Sequence, residues 1–176
     1  MTPTSNSKLS YRDTTFLGLL RINGVKVLFN WSFFWSFLIS SVPIFYSWKK
    51  GTFTSDFISL SKELSATLLG ASAGVLGIVI AALTITLTLF HNSLLPKMLE
   101  TKLIHKFLFP YWFVVVLWGV SIVLCIILNF FEVYGLVQSV AIVFGIELFW
   151  FLYATFYTVQ LTGLVIRLAL QRSQMS

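Results

Sequence analysis

Glu147 is the residue best placed to do chemistry, because it is the one charged side chain in the apolar run from Val133 to Ile166. A carboxyl near the middle of a bilayer costs about 2.5–3.5 kcal/mol on insertion scales, so it is kept where it binds, relays or hydrogen-bonds something. Two chemistries are open to it. It can be a protonated acid bonded to a serine or threonine of a neighbouring helix, fixing how the helices pack. It can instead face a water-accessible path and bind a cation or relay a proton. No Lys or Arg lies inside any apolar run to pair with it. At 100° per residue Ala154 and Thr158 share its face and Thr162 lies nearby, a polar stripe toward one end of the helix.

The other reactive side chains form no recognisable set. His91 and His105 flank Glu100 with thirteen residues between them, which matches no zinc-helix spacing. Cys125 is the single cysteine, so no disulfide or CxxC pair can form, and it reads as a small packing residue. There is no Gly-rich phosphate loop, no Ser/His/Asp set and no pair of catalytic carboxylates. The expectation is a protein that is not an enzyme and holds no cofactor or metal.

A second pattern concerns association rather than chemistry. Thr67, Gly70, Gly74, Gly77, Ala81, Thr84 and Thr88 recur at intervals of three and four, a heptad-like stripe of small residues with a GxxxG pair. Apolar side chains gain little by leaving lipid tails, so helices in membranes associate by close packing, and small residues permit it. Three readings fit: packing inside one protomer, self-association of copies, or the lining of a pore through the threonine hydroxyls. The length of the seam on so short a chain favours a homo-oligomer.

These residues must be positioned by membrane helices. Apolar residues make up 57% of the 176-residue chain and charged residues 10%, against about 25% charged in a soluble domain. Four runs are long enough to cross a bilayer core, which takes about 20 residues: Val27–Ser47, Leu64–Phe90, Phe107–Phe131 and Val133–Ile166, the last spanning from about 136. They are uniformly apolar rather than alternating, which excludes barrel strands. The expected fold is all-α, a polytopic bundle of four transmembrane helices with short interfacial helices. Segment 1–26 precedes the bundle, and 167–176 follows it as a tail. The first run reads as a retained signal anchor.

Ser32, Ser36 and Ser40 repeat every four residues on the first run, and Pro43 invites a bend. Trp48, Tyr111, Trp112 and Tyr134 fall near run ends, as interfacial anchors do. Phe16, Leu17, Leu19, Leu20 and Ile22 suggest a short interfacial helix capped by Asp13 or Thr14. Ser55 with Asp56 looks like the start of the second helix, and the turn after the third falls around Glu132. Leu95, Leu99, Leu103 and Phe107, four apart among Lys97, Lys102 and Lys106, suggest an amphipathic helix on the membrane surface.

The net charge of +6 is sorted by side. With four spans, nine Lys and Arg fall on the side of both termini and three on the other. The positive-inside rule therefore places both termini in the cytoplasm, with Lys97, Lys102, Lys106, Arg167 and Arg172 forming a cytoplasmic basic surface. That surface suits anionic lipid or a soluble protein partner rather than nucleic acid.

The stretch GASAGVLGIVIAALTITLTLF (70–90), a basic loop, and FLFPYWFVVVLWGVSIVL (107–124) together resemble small four-span membrane proteins of bacterial anti-phage defence islands, such as the membrane subunit of the Kiwa system. The likeness is one of hydropathy and small-residue texture over the central half of the chain. It implies an inner-membrane homo-oligomer that senses infection and signals to a cytoplasmic partner. A channel or pore-forming effector, lined by Glu147 and the small and threonine residues, is the alternative.

Overall fold

The structure is a computed structural model describing residues 29–89 and 103–173, with 86–89, 103–108, 164 and 167–173 described by backbone only. These residues form four helices: α1 (Trp31–Lys50), α2 (Phe53–Leu89), α3 (Leu103–Val133) and α4 (Val137–Ser173). No strand occurs among the described residues. Three stretches, Phe53–Ile85, Phe109–Val133 and Val137–Gly163, are long and apolar enough to cross a membrane. The 20 residues of α1 would extend about 30 Å, but serines and tryptophans dilute its apolar content and it is not among the three.

Two glycine turns make two hairpins. Gly51 follows α1 with φ 71° and Gly135 follows α3 with φ 67°, a backbone conformation costly for any residue with a Cβ. Each turn closes the same way. The N–H of Thr52 donates to the Ser47 carbonyl and that of Gly51 to Trp48; the N–H of Leu136 donates to Phe131 and that of Gly135 to Glu132. This paired closure satisfies helix-end carbonyls that would otherwise be orphaned. Asn30 caps the other end of α1, its side chain accepting from the Phe33 N–H at 3.1 Å. The Ser61 hydroxyl of α2 donates to Glu132 of α3, which puts both hairpin tips at the same end of the bundle.

α4 is the central helix. It packs against α3, α1 and α2, whereas α1 hardly meets α2. Near the tips Phe57, Leu128, Val140 and Phe144 form one buried cluster, with Phe57 edge-on to Phe144 at 5.8 Å. Toward the opposite end Phe113, Trp118, Tyr153 and Tyr157 form a second, with Phe113 edge-on to Tyr157 at 4.7 Å. The polarity of α1 is inside out by the standard of a soluble protein. Its buried residues are Ser32, Ser36, Ser40 and Ser47, while Phe34, Phe37, Val42 and Phe45 point outward.

Several sequence expectations shift. α2 starts at Phe53, eleven residues before its apolar run; Thr52, whose carbonyl accepts the Asp56 N–H at 2.9 Å, sits where Ser55 was expected to start the helix. Leu103 and Phe107 belong to α3 rather than to a separate surface helix. The rest of that segment, with Lys97 and Lys102, lies outside the described residues, as does the expected helix in 1–26. The turn falls at residues 134–136, after Glu132, because Gly135 is the residue able to adopt the left-handed conformation. Tyr111 is buried in the aromatic cluster instead of anchoring at the interface, whereas Trp48 and Tyr134 are largely exposed.

Candidate functional site

The three helices α2, α3 and α4 meet around Glu147. Ten residues into α4, it lies about 15 Å from that helix's start, near the middle of its apolar stretch, and it is fully buried. Its Oε1 accepts a hydrogen bond from the Ser121 hydroxyl at 2.6 Å and a weaker one from the Cys125 thiol at 3.4 Å. Ser121 and Cys125 are four apart on α3, so both reach the same point. Ser121 in turn lies 3.0 Å from the Ser72 hydroxyl of α2. All four residues are buried, and Oε2 of Glu147 has no hydrogen-bond partner.

The acid is therefore bonded to a serine of a neighbouring helix, one of its two expected settings, but through residues that were not singled out. The serines of α1 do not serve it. Ser32 donates to Gln160 of α4 at 2.9 Å, and Ser36 and Ser40 bond carbonyls of their own helix. Cys125 packs as expected and is also a thiol donor to the acid. A signal for Ser72 was present: Ser61, Ser65 and Ser72 are spaced four and seven apart and all three are buried on one face of α2. The apolar residues between them obscure it.

The expected stripe from Glu147 does not continue as a path. Ala154 is buried and Thr158 half-buried, but the Thr158 hydroxyl accepts the Trp118 indole N–H at 3.0 Å. Thr162 is exposed and bonds back to the Thr158 carbonyl.

The small-residue seam lies on the opposite side of α2 from Ser72. Thr67, Gly70, Gly74, Gly77, Ala81 and Thr84 are all exposed, and Thr88 is described by backbone only. A Cβ built on Gly70, Gly74 or Gly77 would meet nothing within 4 Å. Among the described residues nothing packs on the seam; the buried face of α2 carries Ser61, Ser65, Leu68, Ser72 and Val79 instead. Glu147 is buried on the inward side of the bundle whereas Thr67 and Thr84 are exposed on the far side of α2, so among the described residues they do not face one another. Of the basic residues, Lys106, Arg167 and Arg172 lie at helix ends whose side chains are outside the described set.

No family model, curated protein or solved structure matches the chain.

Proposed function

We propose that the chain is a four-span, non-enzymatic inner-membrane subunit that works as a homo-oligomer, as a sensor or effector coupling the membrane to a cytoplasmic partner. Bacterial anti-phage defence is the setting that its textural resemblance suggests. The observation that carries the reading is the outward exposure of Gly70, Gly74 and Gly77 over open space. Glycine in a helix interior sacrifices about 0.5–1 kcal/mol relative to alanine, a cost with no return among the described residues of the protomer. Close approach of a second helix would offset it.

The fourth span in this reading is α1. Its serines face the bundle while Phe34, Phe37 and Phe45 are exposed, the sorting that a lipid solvent favours and water opposes. Both termini then fall on the cytoplasmic side, where Lys97, Lys102, Lys106, Arg167 and Arg172 would meet anionic lipid or the partner.

Counting photobleaching steps of a fluorescently tagged chain in dilute lipid vesicles tests the assembly. Wild type is expected to bleach in several steps and Gly74→Leu in one. Single-step bleaching of the wild type at every protein density would remove the homo-oligomer. Ion flux through the same vesicles, if present and altered by Thr84→Val, would replace the sensor reading by the pore.

A further inference from the structure

Glu147 takes both of its hydrogen bonds on one oxygen and none on the other, although the whole side chain is buried at mid-depth. An ionised carboxylate would leave a bare charged oxygen with no cation among the described residues to face. α1 carries no ionisable residue between Trp31 and Trp48 except Tyr46, which is exposed. α2 brings Ser72 and no ionisable group between Leu64 and Ile85. α3 brings Cys125; its only other ionisable residue between Phe109 and Phe131, Tyr111, belongs to the aromatic cluster. On α4 itself the nearest are Tyr153 and Tyr157, in that same cluster.

The neutral acid suits these positions better. With its proton on Oε1 it donates to the Ser121 hydroxyl across the same 2.6 Å, and Ser121 passes a hydrogen bond on to Ser72 at 3.0 Å, where either hydroxyl can be the donor. The bare atom is then a carbonyl oxygen instead of a charged one, and an unpartnered neutral acceptor costs far less than an unpartnered charge. Cys125 can donate to the acid in either state.

We propose that Glu147, Ser121 and Ser72 form a proton-binding site where α2, α3 and α4 meet, and that the bound proton holds α2 against the other two helices. Loss of the proton leaves a desolvated charge that only water or a cation can stabilise. Admitting either requires the three helices to part, and Ser72, tied to the acid through Ser121 alone, is the link that yields. This holds whether or not copies of the chain associate. Cys125, fully buried and 3.4 Å from Oε1, reports the parting because it is the only cysteine.

The full-length protein in lipid nanodiscs is treated over a range of pH with dicyclohexylcarbodiimide, which attacks protonated carboxyls in apolar surroundings, and separately with N-ethylmaleimide. The carbodiimide adduct is expected on Glu147 at acidic pH and is lost as pH rises. The rate of Cys125 alkylation in wild type, divided by that in Glu147→Gln, is expected to climb with pH, the ratio cancelling most of the ordinary ionisation of the thiol. Ser72→Ala, which cuts the tie to α2, should be alkylated faster than wild type already at acidic pH, and it serves as the second variant if Glu147→Gln does not fold. Absence of the adduct at every pH, a ratio flat with pH, or Ser72→Ala alkylated no faster than wild type would each overturn the proposal. Suppression of the adduct by sodium or potassium at fixed pH would also overturn it, making the ligand a metal cation.

Discussion

The two faces of α2 are built on opposite rules. The inward face places Phe57, Leu68 and Val79 against the other helices and interleaves them with Ser61, Ser65 and Ser72, two of which bond across to α3 or its acid. The outward face lines up glycine, alanine and threonine beside exposed Ile78 and Ile85, and among the described residues nothing rests on the glycines. Gly145 of α4 makes the contrast sharper. A Cβ there would lie 3.5 Å from the Phe57 ring, so this glycine does serve a contact inside the protomer. In lipid, hydrophobicity no longer separates inside from outside. Hydrogen bonds and shape do, and a soluble-protein reading of α2 would have inverted its faces.

That contrast can be broken by substitution, with stability measured as reversible unfolding in bicelles. Phe57→Ala on the inward face should show the largest loss, about 3 kcal/mol, the low end of the range for a buried phenylalanine because packing is lost without a matching gain from water. Ser121→Ala removes the middle link between Glu147 and Ser72 and should cost about 1 kcal/mol, within the range for hydrogen bonds between membrane helices. Ser32→Ala, which frees Gln160 near the opposite end of the bundle, should cost about 0.6 kcal/mol. Gly74→Leu on the outward face should move protomer stability by less than about 0.5 kcal/mol while reducing the number of bleaching steps. A loss from Gly74→Leu as large as that from Phe57→Ala would mean that the outward face is not free.

The membrane-helix character was legible because hydropathy acts residue by residue: the stretches Phe53–Ile85, Phe109–Val133 and Val137–Gly163 are long and apolar enough to cross a membrane. Glu147 was legible for the same reason, as a lone charge against that background. Its partners were not. Whether Ser121 or Ser32 reaches Glu147 depends on helix rotation and neighbour order, which the spacing of serines along a run does not state. The seam was visible as a spacing, but spacing states that a helix surface can be approached closely, not which molecule approaches. Tyr111 shows a further limit: aromatic residues near a run end suit an interface or a core equally well, and only its burial in the cluster decides.

The turn at residues 134–136 has a consequence for how the chain enters a membrane. Three residues closed around a left-handed Gly135 cannot hold Val133 on one side of a bilayer while Val137 waits on the other. In the proposed topology α3 and α4 would cross as one unit, delivered tip first. The cargo at that tip would be light: Tyr134, Gly135 and Leu136 include no Asp, Glu, Lys or Arg, and Glu132 is the one acidic residue beside them. On that topology insertion of the second half of the molecule is one translocation event, and a charged or lengthened tip would be felt during biogenesis before it was felt in the finished fold.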